Sequence, residues 1–253
     1  MSFRDATYFS YAGKKSIDLG IINVSFSSGL YEESFLPERS IIETKIRGNK
    51  KPYFQELDYA PLSIKLRFSF LDTWDDNKIR EIARWLGNQE YYQPLYFDTN
   101  IDRIFYCMYV GEATLFHNGL KEGYVELEMR CDSPYSYSPV YASEVYSSPA
   151  QIIFENKGDV SIYPEISIIK NGDGDLSIIN QTNEGKEFKF TSLVNGENLY
   201  VNCENEYIKT DLSTTYRYSN FNDNYLELVT GENILNITGD CDLQFVYRYK
   251  LLQ

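Results

Sequence analysis

The sequence predicts a mainly β protein of two domains, with one α-helix. Three observations carry that prediction. Apolar and polar residues alternate strictly over several stretches. Only one stretch has a helical period. The pattern and the charge both change around CDSPYSYSP, residues 131–139. A length of 253 residues fits one large or two medium domains.

The alternation is clearest at Leu62, Ile64, Leu66, Phe68 and Phe70, which interleave with Ser63, Lys65, Arg67 and Ser69. Val125, Leu127, Met129 and Cys131 alternate with Glu126, Glu128 and Arg130. Leu243, Phe245, Tyr247, Tyr249 and Leu251 repeat the pattern near the end. A period of two with one apolar face marks half-buried antiparallel strands. Aromatic residues make up 16% of the chain, with 23 Tyr and 15 Phe, which suits half-buried strands and contact surfaces.

The helix is expected in TWDDNKIREIARWLGN. Thr73 offers a cap, and Asp75 and Asp76 sit in the first turn, where the helix dipole favours anions. Ile79, Ile82, Ala83 and Leu86 form one apolar stripe, and Gly87 supplies a stop. Trp85 falls beside the stripe and marks a candidate contact.

Between Gly29 and Pro61 the chain reads as a hairpin or arm. Ile42, Thr44 and Ile46 suggest a strand, and RGNKKPY an exposed turn at Gly48-Asn49. The turn is basic, with Arg47, Lys50 and Lys51. Tyr31, Phe35, Leu36, Tyr53 and Phe54 flank it, which suits an arm with an aromatic root. Two readings fit: an ordinary surface hairpin, or an arm that reaches a neighbouring subunit.

After residue 140, Gly- and Asn-containing turn signals recur at 156–159, 171–175, 183–186, 195–198, 222–224, 230–233 and 238–240. Short strands between them predict a β-sandwich. The charge changes too. Residues 1–139 hold 16 basic and 20 acidic groups, and residues 140–253 hold 8 and 17. CDSPYSYSP, stiffened by Pro134 and Pro139, therefore reads as a seam between domains 1–139 and 140–253. A nucleophilic Cys131 would need a basic neighbour, and its place in the alternation points it into the core.

Composition excludes several functions. A net charge of −13 without a basic stripe disfavours phosphate-backbone binding. No apolar run approaches a membrane span, and MSFRDATYFS has no secretory apolar region. Cys107, Cys131, Cys203 and Cys241 are widely spaced, and His117 is the single histidine, so a structural zinc site is not expected. The thiols are expected buried and reduced. No phosphate loop, dinucleotide fingerprint or nucleophile elbow occurs. No catalytic, cofactor or metal site is expected. Asn171, Asp173 and Asp175 look like the opening of a calcium loop, but Thr182 stands where its glutamate belongs, so a hairpin turn is the expectation.

Four stretches in order resemble the distal tail protein (Dit) family of long-tailed, non-contractile bacteriophages. FSYAGKKSIDLGI (9–21) resembles the family's opening strand and turn. DDNKIREIARWLGNQEYYQPLYFD (75–98) resembles its lone helix and aromatic strand. CDSPYSYSP resembles the close of its first domain, and LVTGENILNITGDCDLQFVYRYKLL (228–252) its terminal turn and long strand. The resemblance covers the whole chain. It implies a ring-forming first domain and a galectin-like, carbohydrate-binding-module-like sandwich as the second. It also implies a homo-hexameric hub at the tail tip of the virion, assembled in the host cytoplasm, with a channel for DNA. The implied partners are the tail-tube and tape-measure proteins on one side. On the other they are the tail-tip, fibre or receptor-binding proteins.

On that reading Tyr31, Phe35, Arg47, Asn49, Lys50, Lys51, Tyr53 and Phe54 are the candidate strap to the next subunit of the ring. A carbohydrate-binding adhesion module is the alternative, with Tyr200, Tyr207, Tyr216, Tyr218 and Tyr225 as candidate platforms. Strand tyrosines serve packing as readily. A wall hydrolase is the weakest reading, since no catalytic constellation is present.

Overall fold

The computed structural model describes residues 5–24 and 36–252. The chain divides into two compact units, Met1–Tyr137 with Leu252–Gln253, and Ser138–Leu251.

The first unit holds β1 (Phe9–Tyr11), β2 (Lys14–Lys15), a 3-10 turn (Ser16–Leu19), β3 (Ile21–Asn23), β4 (Arg39–Thr44), β5 (Tyr53–Tyr59) and β6 (Ser63–Phe70). Helix α1 (Asp76–Gly87), β7 (Gln93–Phe97), β8 (Asn100–His117), β9 (Gly123–Cys131) and β10 (Ser136–Tyr137) follow. The main sheet runs β2-β1-β7-β8-β9-β6-β3, and every neighbouring pair is antiparallel. Ala12 and Gly13 both have positive φ, which matches the two-residue turn between Tyr11 and Lys14. The alternating residues of β6 and β9 do what their period requires. Ile64, Leu66, Phe68, Leu127, Met129 and Cys131 are buried, and Arg67 meets Glu126 across the strands at 2.6 Å on the outer face.

Helix α1 is capped by Asp75, not Thr73: the Asp75 carboxylate accepts the Lys78 N–H at 2.8 Å. The reason is Trp74. Its ring is buried against Phe70, so the chain is still packing on the sheet at that point and turns helical only afterwards. Trp85, the candidate contact, is buried within the unit. It stacks on Phe9 at 5.8 Å, and its indole N–H donates to the Tyr11 carbonyl at 3.0 Å. A ring so placed is the peg that seats the helix on the sheet.

The second unit holds β11 (Tyr141–Ala142), β12 (Tyr146–Asn156), β13 (Glu165–Lys170), β14 (Gly174–Asn180), β15 (Lys186–Leu193), β16 (Asn198–Asn202), β17 (Tyr207–Thr210) and β18 (Gly231–Tyr247). The long strand β18 organises it. One edge takes β12 and β11; the other takes β14 and then β13. The changeover lies at Gly239. Sequence predicted a turn at 238–240, but the chain kinks there and continues. Gly239 has φ +96°, and a Cβ on it would stand 2.2 Å from the Asp175 carbonyl. Only glycine allows that approach. Beyond the kink, β14–β15 and β13–β16–β17 form two wings over one core, in which Leu176, Ile178 and Phe188 join Ile166, Ile168 and Val201. This is the sandwich.

A buried ion pair holds the long connection after β17. The Arg217 guanidinium donates to both Glu197 carboxylate oxygens, at 2.8 and 2.6 Å, with side-chain exposures of 8% and 0%. Thr210 and the Val194 N–H also donate to that carboxylate. Burial alone pushes the Glu197 pKa up. The hydrogen bonds from Arg217, Thr210 and Val194, with the Arg217 charge, outweigh it and hold the pKa below the usual value.

Arg217→Met is expected to destabilise the protein by about 3–5 kcal/mol in denaturant titration, because it strands a buried carboxylate. A loss below about 1 kcal/mol would contradict that role. Because the folded pKa is depressed, the pair's contribution is present above about pH 4.3 and is lost as pH falls through the lower folded value. Arg217→Met should therefore flatten the acid limb of the stability curve.

Candidate functional site: an uncovered hairpin

Strands β4 and β5 form a sheet of their own, two strands wide, outside the main sheet. Every residue of β4 is exposed, and so is β5 up to Tyr59. At the tip the Asn49 N–H donates to the Ile46 carbonyl, the Asn49 side chain accepts from the Lys51 N–H, and Gly48 has φ +91°. The strand therefore stops at Thr44, and Ile46 belongs to the turn. Arg47, Asn49, Lys50 and Lys51 lie together at this tip, with Lys45 nearby. Tyr53 and Phe54 stand on β5. Tyr31 and Phe35 lie outside the described residues.

Register decides which residues share a face. Ile41 pairs with Leu57, and Arg39 with Tyr59. Past a bulge at Gln55, Glu43 pairs with Phe54 and Thr44 with Tyr53. Cross-strand partners share a face, and alternate residues of β4 do too. One face therefore carries Ile41, Leu57 and Phe54, with Glu43 beside Phe54 and Arg39 at its far end; Tyr53 and Ile42 lie on the other. Exposures of 62% for Ile41 and 64% for Phe54 show how little of this apolar stripe is covered. Ile41 and Leu57 were not apparent from sequence. Phe54 and Leu57 are three apart, which on a regular strand would place them on opposite faces. The bulge at Gln55 brings them together.

An isolated two-stranded hairpin is marginal in water. One with an apolar face and a basic tip has the composition of an element that is covered by something else.

The other candidates resolve differently. Cys131 is fully buried, and burial followed by the neighbouring Asp132 charge pushes its thiol up to about 12. All four cysteines are free and buried. His117 is exposed at the end of β8, edge-on to Trp74. Asp173 and Asp175 accept the Asn195 and Ser192 N–H groups, so their carboxylates brace turns. Among the described residues no group of three or more His, Cys, Asp or Glu is gathered to hold a metal, and no helix is long and apolar enough to cross a membrane. Of the candidate platform tyrosines, Tyr218 accepts from the Ile208 N–H and Tyr225 donates to the Glu206 carbonyl, which makes them parts of the fold.

Comparison with known proteins defines the class. A family model described as phage tail protein N-terminal domain matches residues 4–133, and one described as phage tail C-terminal domain matches residues 135–247. The chain belongs to this family of phage tail proteins, which are structural components of the virion. The SPbeta prophage-derived protein YomH of Bacillus subtilis (strain 168) is 34% identical over 252 residues, covering 98% of this chain and 99% of the relative. Among solved structures, the Dit protein of phage SPP1 shares the fold with a TM-score of 0.70 at 15% identity, covering 96% and 98% of the two chains. That structure is described as a paradigm of the hub adsorption apparatus in phages infecting Gram-positive hosts. A chain of the phage P2 baseplate in its activated conformation aligns more loosely, with a TM-score of 0.48 at 6% identity over 96% and 98% of the chains. The fold reading of a mainly β, two-part Dit-like chain with one helix is borne out.

If the apolar stripe is an interface and not mere surface, Phe54→Ser with Leu57→Ser should change the unfolding free energy of the dilute protein by no more than about 0.5 kcal/mol. The same pair should weaken self-association by about tenfold or more in sedimentation velocity. Unchanged association would remove the hairpin from the interface.

Proposed function

We propose that this protein is the hub at the distal end of a phage tail, a homo-hexameric ring that joins the tail tube to the adsorption apparatus and leaves a channel for DNA. The observation that carries this is the β4–β5 hairpin, with its apolar stripe uncovered, on a chain that shares its fold with a Dit hub protein. In this reading residues 1–139 form the ring and residues 140–253 are the sandwich domain. A ring closes through head-to-tail contacts, in which one surface of each copy meets a different surface of the next. An arm is well suited to this, because it carries one subunit's apolar residues onto another. In this account Arg47, Asn49, Lys50, Lys51, Tyr53 and Phe54 belong to the strap, together with Tyr31 and Phe35.

The tail-tube and tape-measure proteins meet one side of the ring. The tail-tip, fibre or receptor-binding proteins meet the other, at the tail tip of the virion, after assembly in the host cytoplasm. The acidic balance suits a channel that must release DNA, since gripping phosphate needs a basic stripe. No catalytic step is part of this role.

Electron microscopy of the purified full chain over a range of concentrations tests it. Rings with six-fold symmetry and a central opening are expected. A chain that stays monomeric alone and with tail-tube protein would contradict the hub reading. At physiological salt the protein should show no measurable retention of duplex DNA; tight binding would contradict a passive channel.

A further inference from the structure

Helix α1 does not close on the sheet along its whole length. Ile82, Trp85 and Leu86 are buried, but Ile79 is half-buried and Ala83 exposed, and both line a cleft against the β8–β9 hairpin. There β8 bulges between Val110 and Thr114, and Gly111 takes φ +72°. The bend leaves an open cleft of about 260 Å³ between the helix and Phe70, Tyr109, Ala113 and Leu115. Its walls are almost wholly apolar, and Ala83, Gly87 and Ala113 keep it wide. Phe70 also forms a wall of a second hollow, about 440 Å³, which is lined by Asp72, Thr73, Asp75 and Lys78. An apolar cleft and a hollow with two carboxylates thus share one side chain. Lys78 is the cation at the second hollow, and its ammonium lies 3.6 Å from Glu81.

We propose that this double hollow is the seat for the β4–β5 hairpin of a second copy of the chain. Phe54 enters the apolar cleft, and the basic tip at Lys50 and Lys51 lies against Asp72 and Asp75. The inference deepens the hub reading and rests on it. Three features match the two surfaces. An apolar cavity of about 150 Å³ accepts a benzene ring, so the cleft takes a phenyl ring with room for part of a neighbouring side chain. Phe54 lies one residue into β5 and Lys50 and Lys51 in the turn just before it, outside the strand's alternation, so one arm reaches adjoining hollows. The tip is positive where the second hollow carries its two carboxylates, which also fixes the direction in which the arm enters. The hairpin does not fold back into the cleft of its own chain, since Phe54 stays 64% exposed.

Disulfide trapping in the full chain tests this. Glu43→Cys places a thiol beside Phe54 without removing the ring, and Ala113→Cys places one at the cleft. After mild oxidation, a mixture of the two single variants should give covalent dimers at about tenfold the yield of either variant alone. In a second test, Lys51→Glu should weaken assembly, and Asp72→Lys in the same chain should restore it. Rings that form without trapping between the two variants would overturn the seat and leave the hub standing. A chain that forms no assembly at any concentration would remove both. A Glu43→Cys, Ala113→Cys double variant that closes within a monomer would show the arm serving its own cleft, and would overturn the proposal.

Discussion

The constraint on which the account depends is that a two-stranded sheet cannot bury its own apolar face. Strands β4 and β5 hold each other by backbone hydrogen bonds, but the described residues leave Ile41 and Phe54 more than half exposed and Leu57 only partly covered. Covering a Leu or Phe side chain fully is worth about 1.5–3 kcal/mol. The stripe therefore forgoes several such terms while uncovered, and it invites pairing with anything apolar. Natural edges are usually blunted with charge, bulges or cover. This hairpin has the bulge at Gln55 and a cationic tip, yet keeps its stripe. That combination suits the strap proposed above, limiting indiscriminate association while leaving one directed contact.

Both units show how glycine and buried polar groups shape what the apolar pattern leaves open. In the second unit Gly239 lets a single strand serve two wings, so the sandwich depends on one residue without a side chain. The Glu197–Arg217 pair then ties down the connection after β17, at a place where an apolar contact would not fix a unique geometry. In the first unit β8 bulges at Gly111, beside the cleft against α1. The cleft thus lies beside a local backbone irregularity in a strand whose Phe105 and Cys107 still alternate into the core.

Much of the fold was legible from period alone. β6 and β9 alternate, bury the expected faces and pair with each other, and the single helix lies where its stripe placed it. What was not legible arose where a residue could satisfy two structures. The Gly of TGD is equally good as a turn or as a kink, and only the partner strands decide. Trp85 looked peripheral on the helix wheel, because its partner Phe9 is far away in sequence. Thr73 is a good cap by type, but Trp74 is held on the sheet and delays the helix. At the hairpin, the tip and its two aromatics were legible from charge and turn chemistry. Ile41 and Leu57 were not, since the Gln55 bulge shifts the face by one residue, and no period calculation contains a bulge.

Amide hydrogen exchange across residues 39–59, followed from dilute protein to assembled ring, tests the central claim most directly. The account predicts fast exchange in the dilute chain, with protection gained throughout β4 and β5 on assembly, while β6 and β9 are protected in both. A hairpin equally protected at high dilution, or still unprotected in the ring, would contradict the claim that a neighbouring subunit supplies its missing core.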